Sequence, residues 1–111
     1  MTYDQIVDIA EAAGLPVAYD HFAEGESPDP PFLIFLLPGD DNFSADGIPY
    51  LKATLLNFEL YTDRKDPELE ARVEEALERN DIYYSKSEVW IPSEKMYEVL
   101  YQMEVTYGEE E

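Results

Sequence analysis

Phe32-Leu33-Ile34-Phe35-Leu36-Leu37 is apolar at every position, enters from Pro30-Pro31 and is closed by Pro38-Gly39. A run this short between breakers reads as a β-strand, and one without polar alternation is a strand covered on both faces. Such a strand dictates much of the rest of the fold. It needs neighbours along its edges and material above and below, so the chain must supply a sheet with covering layers. On this ground the run is expected to be a central strand.

The flanking segments supply those parts. Thr2 and Gln5 have capping-box spacing, and Ile6, Ile9, Ala10 and Ala13 share one helical face before Gly14, which predicts a helix over 3–13. After Pro16, Val17 to Phe22 alternates as a short strand, and Ala23 to Pro31 has the composition of a loop. Between Asp40 and Lys52 the turn signal Asp46-Gly47 and the apolar Phe43, Ile48 and Tyr50 fit no regular period, so the segment is expected to project as a hairpin arm.

From Ala53 to Asp63, Leu56, Phe58, Leu60 and Thr62 alternate with Asn57, Glu59 and Tyr61, the period of two of a half-buried strand. Asp66-Pro67-Glu68 opens a second helix for reasons local to each residue. Asp66 can accept a bond from a free N–H, Pro67 loses no hydrogen bond at the first position, and Glu68 suits the positive helix end. Leu69, Val73, Ala76 and Leu77 form its buried stripe, and Asn80 ends it. Strands are expected over Ile82–Ile91 and Met96–Tyr107. In the last, Tyr97, Val99, Tyr101, Met103 and Val105 share a face, and this stripe and Trp90 are expected in the core. The order α-β-β-β-α-β-β predicts an α+β fold, a single domain over 1–107 with two helices on a mostly antiparallel five-strand sheet. Residues 108–111 are expected to be an acidic, frayed C-terminus.

Seven Lys and Arg against 26 Asp and Glu leave a formal charge of −19, yet 45% of residues are apolar, so the chain is a folded acidic domain rather than a disordered one. Grooves that grip phosphate need clustered cations, and the best cluster, Arg64-Lys65, is followed at once by Asp66, so no nucleic-acid ligand is expected. Such a surface suits a basic protein partner, or a passage through which DNA slides without sticking. No apolar stretch approaches the roughly 18 residues of a membrane span, and the start lacks the basic and apolar parts of a signal peptide. A soluble protein made in the cytoplasm, with no membrane partner, is the expectation.

Catalytic constellations are sparse. His21, beside Asp20, has the chemistry of half a metal or catalytic pair, but it is the sole histidine and there is no cysteine. Glu24, Glu26 and Asp29 do not have the alternate-acid, central-glycine, distal-glutamate spacing of a calcium loop. No serine sits in a Gly-x-Ser-x-Gly context. Twenty-six acids make many carboxylate pairs by chance, so such pairs identify nothing. Asp40-Asp41 follows the apolar strand without a phosphate-binding glycine pattern and reads as a turn. No catalytic residue, metal ligand or cofactor site is expected.

The segments "GLPVAYDHF", "PPFLIFLLPG", "NFELYTDRKDPELEARVEEAL" and "EKMYEVLYQMEV", with the order of elements, resemble the tail-terminator family of long-tailed bacteriophages and prophages of Gram-positive bacteria, also called tail-completion or head-tail joining proteins. The resemblance spans nearly the whole chain and includes no catalytic signature. It implies a non-enzymatic component that forms a hexameric ring on the tail tube, stops tube growth, and joins it to the head connector. Its place is the tail end of the virion, and the host cytoplasm during assembly. On that reading Phe43, Ile48 and Tyr50 are candidate subunit contacts, and Glu24, Glu26, Asp29, Asp40 and Asp41 a candidate acidic channel or docking surface. Two alternatives use the same charge differently: an acidic DNA mimic or other phage-encoded inhibitor that binds a basic protein, and a carboxylate enzyme with acids converging near Asp20 or His21.

Overall fold

The computed structural model describes residues 1–40 and 51–108. Along the chain lie α1 (Tyr3–Glu11), β1 (Val17–Tyr19), β2 (Phe32–Asp40), β3 (Leu51–Thr62), α2 (Pro67–Arg79), β4 (Tyr84–Ile91) and β5 (Met96–Gly108). The strands form one sheet in the order β1-β2-β3-β5-β4, parallel only between β1 and β2. The fold is α+β, with the anticipated order of two helices and five strands.

Both helices begin where local hydrogen bonding dictates. Thr2 Oγ1 accepts from the Gln5 N–H at 3.2 Å while Gln5 Oε1 accepts from the Thr2 N–H at 2.7 Å, so two donors at the α1 terminus are satisfied reciprocally. Gly14 at φ +80° follows α1, a backbone conformation in which a side chain would be strained. Asp66 Oδ1 accepts from the Leu69 N–H at 3.2 Å to start α2, and at its other end Asn80 Nδ2 donates to the Ala76 carbonyl at 2.8 Å.

The core lies between these helices and one face of the sheet. Leu33 and Phe35 of β2, Leu56, Phe58 and Leu60 of β3, and Val99, Tyr101, Met103 and Val105 of β5 meet Ile6, Ile9 and Ala10 of α1 and Leu69, Val73, Ala76 and Leu77 of α2. The register aligns them: Phe58 stands between Phe35 and Tyr101, and Leu60 between Leu33 and Val99. Truncating one such leucine to alanine costs about 2–5 kcal/mol, lost transfer energy plus the cavity left behind.

Several expectations need correction. First, β2 is the interior strand expected, flanked by β1 and β3, but the middle of the five is β3. The chain leaves β1 after Tyr19, where Asp20 takes φ +64°, so β1 is three residues long instead of reaching Phe22. Second, Pro38-Gly39 does not stop β2. Pairing passes from Leu36↔Asn57 to Gly39↔Leu55, which places one extra β2 residue at a bulge. Proline is tolerated there because β1 pairs no further than Phe35, and the missing N–H breaks no ladder bond on that side.

Third, Trp90 is not a core residue. It is 43% exposed on the edge strand β4, with its ring 4.7 Å from that of Tyr97. An edge strand has a neighbour on one side alone, so its aromatic side chain is less covered than its size and apolar character suggested. Fourth, α1 ends at Glu11 and β4 starts at Tyr84, although Ala13 and Ile82 outside their bounds are still buried.

Candidate interaction surfaces

On the helix side, α2 is fastened to the sheet by an ionic cluster. Glu70, Glu74 and Glu78 recur at four-residue spacing and so face one direction along α2. Lys65 Nζ lies 2.7 Å from Glu70 and 2.6 Å from Glu88, and Lys86 Nζ lies 2.8 Å from Glu70 and 2.7 Å from Glu74. Tyr101 Oη donates to Glu74 at 2.8 Å, and Tyr84 Oη to Glu78 at 2.7 Å. Lys86 and Tyr101 are register partners across β4 and β5, which is why both reach the same helix face.

Glu70 is buried, with 6% of its side chain exposed. Burial pushes its carboxyl up, but hydrogen bonds from Lys65 and Lys86 outweigh that penalty and hold it below the usual carboxylate value. Hydrogen bonds to their glutamates raise Lys65 and Lys86 in turn. Burial, reinforced by Glu74, raises the Tyr101 hydroxyl, and burial with the Glu78 hydrogen bond pushes Tyr84 up to about 12. Glu70, Glu74 and Glu88 each meet a lysine, and Glu78 accepts from the Tyr84 hydroxyl, so the arrangement acts as a clamp.

Among the described residues, the opposite sheet face carries no helix. Phe32, Ile34 and Leu36 of β2, Leu55, Asn57, Glu59 and Tyr61 of β3, and Glu98, Leu100, Gln102 and Glu104 of β5 point to it by alternation from the core positions. Part of it is covered by the β1–β2 connection. Phe22 meets Phe32 edge-on at 5.4 Å, and Phe32 stacks on Tyr61 at 5.2 Å. Beside this aromatic row Tyr61 Oη donates to Glu59 at 2.9 Å. Burial, then that bond, raises the Tyr61 hydroxyl. Burial and the negative charge of Glu59 raise the Glu98 carboxyl.

On the same face Val89 is exposed beside Glu98, level with Tyr61, and Leu55 is exposed farther along, beside Glu104. A shallow depression of about 700 Å³ lies at this end, with Pro38, Leu55, Asn57, Tyr83, Gln102 and Glu104 among its walls. An open sheet face with exposed aliphatic groups among carboxylates has the character of a protein-contact surface.

The residues singled out from sequence are distributed over the fold. Glu24, Glu26 and Asp29 are exposed on the β1–β2 connection, whereas Asp40 lies at the far end of β2, roughly 26 Å along the strand from Phe32. Asp40 Oδ1 accepts from Thr54 Oγ1 at 3.1 Å. His21 Nδ1 stands 2.9 Å from Asp20 Oδ2, with both side chains mostly exposed. Asp41, Phe43, Ile48 and Tyr50 lie outside the described residues, as do 109–111. Among the described residues no group of three His, Cys, Asp or Glu is arranged to hold a metal ion. No helix among them is long and apolar enough to cross a membrane.

Sequence reasoning missed the clamp. The four-residue spacing of Glu70, Glu74 and Glu78 was the available signal, but its meaning depended on Lys86, which only the β4–β5 register brings beneath them.

Among the described residues these features define a two-layer α+β domain whose distinctive chemistry is spread over a clamp and a partly open sheet face. The chain matches no protein-family model, and no curated protein matches it.

Proposed function

We propose that this chain is a structural assembly protein of the tail-terminator kind, a ring-forming component that caps a phage tail tube and joins it to the head. The observation that carries the reading is the one-sided sheet. Helices occupy one face, and the other presents Leu55 and Val89 among Glu59, Glu98 and Glu104, a surface suited to another protein. The acidic surface fits a second requirement, a channel to which DNA does not adhere. In this reading Phe43, Ile48 and Tyr50, on the connection between β2 and β3, contact the adjacent subunit, and the chain is not an enzyme.

The test is mass by light scattering across protein and salt concentration, with negative-stain images, in the presence and absence of polymerising tail-tube protein. Rings, and tubes that stop growing when the chain is added, are the expected outcome. A chain that forms no ring under any of these conditions and leaves tube length unchanged ends the reading. The DNA-mimic alternative rests on the same charge and differs in its outcome, a salt-sensitive complex with a basic nucleic-acid-binding protein and no ring.

A further inference from the structure

We propose that β4 is a self-pairing edge, along which two copies of the chain join antiparallel across a two-fold axis to make one continuous ten-stranded sheet. β4 closes the sheet at one side and pairs with β5 alone among the described strands. It runs for eight residues, Tyr84–Ile91, in unbroken register and without proline. Natural edges are usually blunted by bulges, prolines, charge or covering loops. Here every residue from Ser85 to Trp90 is exposed, so α2 does not overhang the edge. Of the six large apolar side chains most exposed in the described structure, Tyr83, Val89 and Trp90 lie on or beside this strand.

The occupant is indicated by charge. In a chain of −19, β4 carries one Lys and one Glu, Lys86 and Glu88, and is a locally neutral strip on which a second copy is not repelled at contact. Pairing that keeps both helix layers on the same side requires opposed residues of the same face. Centring the two-fold on Lys86 or on Glu88 opposes like charges. Centring it on Ser87 opposes Lys86 to the partner's Glu88 and Glu88 to the partner's Lys86. It also sets Tyr84 against the partner's Trp90. Opposite charges and aromatic pairs are both favourable across strands. The strand is thus self-complementary in one register, as an isologous contact must be. The Lys86 bonds to Glu70 and Glu74, and the Glu88 bond to Lys65, already hold these side chains in place.

This contact does not rest on the ring reading, since a two-fold pairing closes at two chains. The natural chain has no cysteine, which makes register directly readable. In a Ser87→Cys variant two sulfurs face each other at the two-fold, within disulfide reach; in Ser85→Cys the sulfurs lie several residues apart along the pair and cannot meet. The expected result for the native protein alone, without tail-tube protein to template a ring, is twice the chain mass, favoured by salt, with disulfide-linked dimer from Ser87→Cys but not from Ser85→Cys, and loss of the dimer in Ser87→Glu with an unchanged circular dichroism spectrum. A native chain of single mass at every concentration overturns the proposal, as does equal cross-linking of the two cysteine variants. Six-membered rings without Ser87→Cys cross-linking overturn it and leave the ring reading standing. Cross-linked dimers that never act on tail tubes do the reverse.

Discussion

Lys86 Nζ stands between Glu70 and Glu74, at 2.8 and 2.7 Å, so one ammonium from the edge strand holds two successive turns of α2 against the sheet. Replacing Lys86 with Met keeps most of the stem but leaves a buried carboxylate with Lys65 as its remaining partner. Loss of one side of a fully buried pair costs 3–5 kcal/mol, and the partial exposure of Lys86 reduces this to about 1–3 kcal/mol. The Arg79–Glu75 pair, 2.6 Å apart with both side chains about two-thirds exposed, is the internal contrast. Arg79→Met is expected to change stability by less than about 0.5 kcal/mol. Urea unfolding of the two variants measures the difference.

Acid unfolding should run through Glu70. Its carboxyl is held below its ordinary value of 4.5 in the fold, so its contribution is fully present above that value and is lost as pH falls toward the folded-state pKa. Thermal midpoints are expected to decline as pH drops below about 4.5, with a shallower decline in Glu70→Gln, which starts from lower stability at neutral pH. An unchanged acid slope in that variant argues against the clamp as its origin.

Glu98 has the opposite sign. Burial and the neighbouring charge of Glu59 raise its carboxyl, so the folded protein binds the proton more tightly than the unfolded chain and stability falls as pH rises through this range. Removing the charge relieves that cost. Glu98→Gln is expected to raise the midpoint at neutral pH, by an amount of the order of 0.5 kcal/mol for a like-charge neighbour on a sheet face, with no gain at low pH.

The net charge of −19 sets the response to salt. Raising ionic strength from about 0.01 to about 0.1 M shortens the Debye length from about 30 to about 10 Å, which screens repulsion across the whole domain while the 2.6–2.8 Å contacts of the clamp persist. The melting temperature is expected to increase over that interval. A decrease would assign more stability to exposed ion pairs than to relief of repulsion.

If the connection between β2 and β3 is the subunit contact, Phe43→Ala with Tyr50→Ala abolishes ring formation and tail joining while urea unfolding of the isolated chain changes little. Normal rings and joining in the double variant remove those residues from the contact.

What the sequence determined by itself are the features whose causes lie within a few residues. The Thr2–Gln5 capping box, the Asp66-Pro67 start of α2 and the two-residue alternation through Leu56, Phe58 and Leu60 depend on neighbours one turn or two positions away, and each is found where expected. Its expectations about the ends of elements were weaker, because Asp20 can end β1 and Pro38 can sit inside β2 only by virtue of which strands lie alongside. Tertiary structure alone decided that β3 is central, that Trp90 is exposed on an edge and that Lys86 lies under Glu70 and Glu74. Those outcomes depend on strand order and on the β4–β5 register, which join residues far apart in the chain. Local propensity carries no information about such pairings, and the shared core beneath α2 selects them as a set.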